Sequence, residues 1–516
     1  MRLTDGDLKQ INQEYITKLT VEQLRHLSEK MLEDLREARD RLNQSPQNSS
    51  RPSGSYAPWE QADFREAKKE EAEAKEAKEA RKAEESKAGQ SEEQTKPSGG
   101  PGKAKSKRKA GKQVGAKGVG RVVRLSVTGE ERHKASACAG CGEDFAEEAD
   151  FRATTGLYVL EIACGEGGIQ VSHVKHLYGE RRCGCGHVTE TKPASCAAEP
   201  EWRVELTEWH LVGPMLSALI ICLALRMRLS RQRIQEFLQD WLGIELSVGC
   251  IQQCINEGGR AAAPLEEALI AEIQQAELLH ADETGWQENG RLVWLWVLRT
   301  ATVTLYMIGS RSWTVIASVM EGYAGWLMSD GYGQYRHYGQ RLRCFAHLIR
   351  KTRALVESCH PEAAAFGEKL LTALSLFIQA IYAARGDPTC NLPEQFADEL
   401  TGLQQLCEQH RDHSHDKTKA LARELLNDWE AIWSILALPH LPITNNVAER
   451  ALRHWVIARK LSYGTRTAEG SRTFTLLASV IDTCIQRHLS PWPYIASVIA
   501  ARRKGNTPPP IPLLAS

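Results

Sequence analysis

Residues 276–310 read AELLHADETGWQENGRLVWLWVLRTATVTLYMIGS. Three apolar or alternating runs, AELLHADETGW, RLVWLWVLRT and TVTLYMIGS, are separated by turn residues. That spacing predicts three antiparallel strands in a meander. Working outward, 313–321 reads as a helix and GWLMSD as a fourth strand that ends on Asp330. RLRCFAHLIRK reads as a fifth strand turning into a helix.

Strand, strand, strand, helix, strand, helix, strand is the order of a ribonuclease-H-like mixed α/β sheet domain. Residues 361–440 show helical periodicity and no strand signal, with Leu370, Leu374, Phe377, Leu403, Leu425, Ile432 and Trp433 among the apolar positions. They are expected to form an all-α insertion. The stretch 445–464, NNVAERALRHWVIARKLSYG, then returns the chain to the core as a helix carrying Glu449. Two more helices, about 476–485 and 494–501, close it, and TPPPIP reads as a tail.

Upstream, residues 1–45 place Val21, Leu24, Met31, Leu35, Ala38 and Leu42 at heptad spacing. This suits either a short coiled coil or an amphipathic helix packed on its own protein. Residues 46–132 read as a solvated Ala/Glu/Lys/Arg helix between flexible Gly-, Ser- and Lys-rich segments. A cysteine module follows at 133–200 and a helical segment at 201–275. Within the latter, SVGCIQQCINEGGR resembles the second half of a helix-turn-helix with Ser247 as N-cap; a plain core helix is the alternative. The remaining divisions are 276–360 for the first part of the sheet domain, 361–440 for the insertion, 441–503 for the last part and 504–516 for the tail.

The 516 residues carry a formal net charge of zero, so overall charge names no partner. Its distribution says more. Nine Lys or Arg and no acid lie between Lys103 and Arg124, Lys107, Arg108 and Lys109 among them, and bases outnumber acids again beyond Arg450. Both stretches suit phosphate contact or simple solvation. The first twenty residues are polar and charged, unlike a signal peptide. The apolar run 211–225 contains Gly213 and Pro214 and is shorter than a bilayer span of roughly 18–20 residues, so it reads as a buried core helix, and no membrane partner is expected. Fourteen cysteines in so long a chain point to reduced thiols in a cytosolic compartment.

Three carboxylates stand out. Asp282 and Asp330 lie on or at the end of strands, and Glu449 sits on a helix otherwise loaded with Arg450, Arg453, Arg459 and Lys460. Phosphodiester chemistry by two divalent ions, Mg²⁺ or Mn²⁺, uses carboxylates mounted on rigid elements in this way. Strand alternation puts His280 and Asp282 on one face and turns Glu283 away. Gly331, after Asp330, would let a phosphate or metal approach the backbone closely. Ordinary alternatives exist for each acid: Asp282 capping a turn into Thr284, an Asp330-Gly331 turn, and a capping box from Asn446 or an ion pair to Arg453 for Glu449.

These residues fall in blocks: Asp282-Glu283-Thr284; Ser329-Asp330-Gly331-Tyr332; Cys344-Phe345-Ala346-His347-x-x-Arg350; Asn445-Asn446-x-x-Glu449-Arg450-x-x-Arg453; and Arg459-Lys460-x-Ser462-x-Gly464. Together they resemble the transposases of the insertion-sequence-66 family, the TnpC type, over about residues 130–500. A tryptophan often stands in that family where this chain has Phe345. The resemblance implies that Asp282, Asp330 and Glu449 are a DDE metal triad. It also implies DNA cutting and joining at the ends of a mobile element, in the cytoplasm of a bacterium and in association with its nucleoid. A homo-oligomer and companion proteins from the same element belong to the same implication. His347 would contact the scissile phosphate, move protons, or serve structurally; Arg350, Arg450, Arg453, Arg459 and Lys460 would hold DNA phosphates.

Cys138-x-x-Cys141 and Cys183-x-Cys185 form two close pairs, a pattern that suits tetrahedral Zn²⁺, with His187, Cys164 and Cys196 as substitutes. Four unrelated thiols are the alternative; the resemblance implies a zinc-finger-like module here with a structural role in recognising DNA ends. Two rivals to the transposase expectation remain at this level. One is a zinc-bearing DNA-binding protein that no longer cuts. The other is a stand-alone ribonuclease-H-like nuclease, which would cut without joining ends.

Overall fold

The computed structural model describes residues 127–513 apart from 147–149, 166–167, 359 and 387–390, together with a few positions between 21 and 32. Of the charged helix and basic linker expected at 46–132, residues 46–126, including Lys107, Arg108 and Lys109, lie outside the described residues, and the end of the segment is not linker but the start of a strand, Gly129–His133. So do heptad positions Leu35, Ala38 and Leu42. Val21, Leu24 and Met31 are helical and exposed.

Strands β1 (Gly129–His133), β2 (Phe151–Gly165), β3 (Gly168–Arg182) and β4 (Val188–Glu190) form a small sheet in the order β1-β3-β2, with β4 also on β3. β1 runs parallel to β3, and β2 and β3 form a long antiparallel hairpin. The cysteine module is thus built on fifteen-residue strands, an extent the cysteine spacing alone did not suggest. The hairpin docks onto the next helix through Glu161. Its carboxylate accepts from the backbone N–H groups of Met215 and Leu216 at 3.1 and 2.8 Å, satisfying donors at a helix start that has no side-chain cap of its own.

That helix, α1 (Pro214–Ile221), continues through a π-turn (Cys222–Arg226) and is buried, as its apolar run predicted. α2 (Arg231–Leu242), α3 (Val248–Ala262) and α4 (Leu265–Gln274) follow. Ser247 caps α3 as expected, accepting from the Cys250 N–H at 3.1 Å. From Glu257 to Ala262 α3 is buried, while Val248, Gly249 and Gln253 at its start are exposed. Its C-terminal half is therefore a core helix.

The second sheet holds β5 (Leu278–Glu288), β6 (Arg291–Arg299), β7 (Thr304–Gly309), β8 (Trp326–Ser329) and β9 (Arg341–Arg343) in the order β7-β6-β5-β8-β9. The first three pair antiparallel, and β5-β8 and β8-β9 pair parallel. The helix expected at 313–321 is split into a 3₁₀ turn (Trp313–Val315) and the short α5 (Ala317–Met320). The region as a whole is a mixed α/β fold.

Two apolar cores are built on this sheet. One gathers Ala281, Leu295, Val297 and Leu305 with α1–α4 and with α12 (Asn446–Ser462), α13 (Ala468–Gln486) and α14 (Pro491–Arg503). The other gathers Met328 and Leu342 with α6 (Phe345–Val356), α7 (Pro361–Ala384), α8 (Leu392–Gln395), α9 (Ala397–Gln409), α10 (Asp416–Asn427) and α11 (Trp429–Trp433). Of these, α7–α11 fill the span 361–440 read as an insertion. α7 is long and apolar enough to cross a membrane by composition alone, but Leu370, Leu374, Phe377 and Ile381 bury its stripe in this core. The outer edge of β7 is closed by side chains of α13: Ser479 Oγ accepts from Tyr306 N–H, and Thr483 Oγ1 bonds both the N–H and the carbonyl of Thr304.

One carboxylate ties the helical span to the sheet. Asp428, at the start of α11, accepts from Arg336, from Arg341 and from Arg343, the last two on β9. Burial alone would raise its carboxyl; the hydrogen bonds from Arg336 and Arg341 outweigh that and hold it below the usual range. Asp428→Ala strands the buried Arg343 without one of its two acids. It should cost about 3–5 kcal/mol in urea unfolding; a loss below about 1 kcal/mol would mean the cluster behaves like an exposed ion pair.

Candidate active site

β5 alternates as its sequence predicts. His280, Asp282 and Thr284 face α12, and Glu283 turns to the opposite side. There Arg311 pairs with Glu283 at 2.8 Å and the Tyr335 hydroxyl donates to it at 2.6 Å. Asp330 follows β8 directly, in register beside β5. Glu449 lies in the first turn of α12.

The element that joins them is Asn445. It occupies the N-cap position of α12 yet makes no side-chain cap. Instead its amide Nδ2 donates to the Ala281 carbonyl at 2.8 Å and its Oδ1 accepts from His280 Nδ1 at 3.1 Å. Its own N–H reaches Cys344 Sγ at 3.1 Å. Asn445 is fully buried, so these bonds pin the start of α12 to the strand residue next to Asp282. Further along, Arg459 Nη1 lies 3.4 Å from Thr284 Oγ1. At the end of α12, Tyr463 (φ 57°) and Gly464 (φ 84°) turn the chain, and a Cβ on Gly464 would fall 2.1 Å from the Gln287 carbonyl oxygen. The glycine is required there by both conformation and space.

Asp282 feels the other acids. Burial, followed by the charges of Glu283, Asp330 and Glu449, pushes the Asp282 carboxyl up to about 8. Asp282 Oδ1 accepts from the Glu283 N–H at 2.9 Å, and Asp330 Oδ1 accepts from the Tyr332 N–H at 2.8 Å, so each uses one oxygen to fix its own orientation. Glu449 Oε1 is buried and has no hydrogen-bond partner, and His347 Nδ1 stands 3.7 Å from it. A buried carboxylate raised by the charges of neighbouring acids, with an unsatisfied carboxylate oxygen on one of those neighbours, is a set of oxygen donors of the kind hard divalent cations take.

Several expectations change at this point. The capping box from Asn446 and the Glu449–Arg453 ion pair do not form among the described contacts, and Asn445 binds the sheet instead of capping its helix. The space beside Gly331 is not open to a ligand: a Cβ there would meet Arg343 Nη2 at 2.6 Å and Glu424 Oε1 at 2.7 Å. Arg459 turns in toward Thr284, half-buried, with its pKa lowered by desolvation. Arg450, Arg453, Lys460 and Arg350 are exposed. Asn445's interlock with His280 and Cys344 was missed, since its only sequence signal was an unusual Asn-Asn before a helix. A cleft of about 1210 Å³ lies elsewhere, between α1–α3 and α12–α13, lined in part by Arg203, Arg228, Arg231 and Arg466. None of the three acids lines it.

In the small sheet domain, Cys138, Cys141, Cys183 and Cys185 converge, all four sulfurs lying within 4.8 Å of one another. The Cys138–Cys185 and Cys141–Cys183 separations are 3.7 and 3.6 Å. Zn–S bonds of ~2.3 Å in a tetrahedron set sulfurs ~3.8 Å apart, so the spacing fits. The Cys141 backbone N–H, with help from Gly140, draws the Cys138 thiol down to about 6. His187 and Cys196 are not in the cluster, and the side chain of Cys164 lies outside the described residues.

A mixed α/β fold with acids on β5, just after β8 and on a crossing helix, together with a four-thiol cluster, is compatible with metal binding. Comparison with known proteins places the chain further. The family described as "Transposase IS66 family" matches residues 210–473, and the chain belongs to it. Among curated proteins it is similar to three from Sinorhizobium fredii (strain NBRC 101917 / NGR234). It is 23% identical to y4qI over 300 residues, covering 52% of this chain and 55% of that protein. It is 26% identical to y4jO over 169 residues (33% and 50%), and 27% identical to y4jD over 280 residues (47% and 54%). The chain thus spans about half the length of the curated relatives it matches.

The raised Asp282 pKa has a signed consequence. The folded state holds that proton up to about pH 8, whereas an unfolded Asp releases it near its ordinary value of 3.8. Between those values the folded state binds more protons, so stability falls as pH rises. Cation-free Asp282→Asn should therefore melt higher than wild type at pH 8, with the difference shrinking toward pH 5. Equal melting curves at both pH values would show that Asp282 is not under this electrostatic load.

Proposed function

We propose that this protein is a DNA transposase that cuts and joins strands at the ends of an insertion sequence, by phosphoryl transfer at Asp282, Asp330 and Glu449. The observation that carries the reading is the placement of three carboxylates on β5, at the end of β8 and in the first turn of α12, near enough that the charges of Asp330 and Glu449 both bear on Asp282. The strand order β7-β6-β5-β8-β9, antiparallel then parallel, supports a ribonuclease-H-like description of this domain.

Asp282, Asp330 and Glu449 would hold two divalent ions, Mg²⁺ or Mn²⁺. Such ions activate the attacking oxygen and steady the leaving one when bound. The protein's own contribution is positional. Asn445 fixes the start of α12 against β5, so Glu449 cannot drift from Asp282. Glu283 is held by Arg311 and Tyr335 on the far side of the strand, where it adds negative potential without competing for the site. Arg450 and Arg453, one turn apart on the exposed face of α12, are placed to contact phosphates next to Glu449, with Lys460 further along and Arg350 on α6. These contacts would position DNA without reading its bases.

Cys138, Cys141, Cys183 and Cys185 would hold a structural Zn²⁺, whose binding supplies folding free energy to a small sheet with little core of its own. Cys183→Ser should lower the zinc content of purified protein by one equivalent and loosen residues 129–190 in hydrogen exchange. Retained zinc in that variant would contradict the assignment.

The deciding assay is end cleavage and strand transfer with Mg²⁺ or Mn²⁺, using DNA that carries the flanks of the element. Wild type should cut and join. Asp282→Ala, Asp330→Ala and Glu449→Ala should each bind the same DNA and do neither. If wild type binds and does not cut, the chain is a DNA-binding protein; if it cuts and never joins, it is a nuclease.

A further inference from the structure

Cys344, His347 and Glu449 bring one sulfur, one imidazole nitrogen and one carboxylate oxygen within 4.8 Å of one another. Two of these atoms, His347 Nδ1 and Glu449 Oε1, are buried and lack a hydrogen-bond partner. They stand 3.7 Å apart, too far to bond each other. Leaving two buried polar atoms unsatisfied face to face is costly. Two ligands of one ion, with bonds of ~2.1–2.2 Å, would sit roughly 3–3.6 Å apart, close to what is seen. Both mounts are rigid. Cys344 is the N-cap of α6 and is held by the Asn445 N–H; His347 lies in the first turn of α6; and Phe345 N–H bonds the Ile443 carbonyl, tying α6 to the segment before α12.

We propose that His347 is itself a metal ligand: its Nδ1 and Glu449 Oε1 together take one divalent ion, with Cys344 Sγ within reach as a softer third donor. The inference rests on the reading of Asp282, Asp330 and Glu449 as the cation site, and adds a nitrogen to it. Nitrogen and sulfur donors favour transition metals, whereas Mg²⁺ prefers an all-oxygen shell. This position therefore selects Mn²⁺ over Mg²⁺. It also offers Zn²⁺ or Cd²⁺ a tighter, thiol-assisted site that would compete with Mn²⁺.

The test uses the full chain without DNA and reads binding instead of activity. Mn²⁺ affinity is measured by calorimetry, and the Mn²⁺ spin-echo signal is examined for nitrogen modulation from a directly bound imidazole. Wild type should show that modulation. His347→Gln should abolish it and weaken Mn²⁺ binding by more than about tenfold, while changing Mg²⁺ affinity much less. His347→Asn, whose Oδ1 takes the place of Nδ1 whereas the Gln amide lies one carbon further out, serves as a second variant should His347→Gln fold poorly; it should lose the nitrogen signal and keep more of the affinity. Absence of modulation in wild type, or its persistence in both variants, overturns the inference. Asp282→Asn separates the two claims. If it weakens Mn²⁺ binding and His347→Gln does not, the nitrogen ligand is wrong and the carboxylate site stands. If neither weakens binding, both are wrong.

Discussion

Gathering like charges is the constraint around which the rest of this structure is arranged. Asp282, Glu283, Asp330 and Glu449 repel, and each would be better solvated apart. The fold holds them together with contacts that do not depend on the acids themselves. Asn445 is the clearest case: its side-chain amide bonds Ala281 and His280 and its backbone N–H bonds Cys344, joining strand, helix and the start of α6 at one buried residue. The packing behind it is equally specific. Asp482 accepts from the Tyr306 hydroxyl and from the Trp455 indole, fastening β7, α12 and α13 to one another.

The same logic explains the second core. Arg336, Arg341, Arg343 and Lys351 surround Asp428 and Glu424, so the helical span 361–433 is anchored to β9 by charge as well as by apolar packing. A span inserted between Asp330 and Glu449 in sequence could easily move one acid relative to the other. Anchoring it at β9 keeps that movement from reaching the strand ends. Buried ion clusters of this kind add little net stability but penalise alternative packings heavily, because each leaves a charge unpaired.

Much of this was legible before any coordinates. The alternation in residues 276–310 marks its strands because a half-buried sheet must separate polar from apolar faces. The same alternation placed His280 with Asp282 and turned Glu283 away, as the Arg311 and Tyr335 contacts bear out. The Cys pairs converge as their close spacing on a small module suggested, with Cys138 buried and Cys141 and Cys185 at the surface. What was not legible depends on contacts distant in sequence. Asn445 stood out only as one of two asparagines before a helix, since its neighbours say nothing of a strand 164 residues earlier. Gly331 looked like an opening for ligand, and only the fold brings Arg343 and Glu424 against it. Arg459 read as one more phosphate contact, and its burial against Thr284 follows from how α12 crosses β5. The long β2–β3 hairpin carried weak periodicity because much of it is exposed on both faces.

The most direct measurement of the proposed site is anomalous diffraction from crystals of the full chain soaked in Mn²⁺. The account predicts an anomalous peak bonded to Asp282 together with Asp330 or Glu449, with Asn445 still bridging to Ala281. Manganese bound elsewhere, with the three carboxylates turned apart and none of them touching an ion, would contradict it.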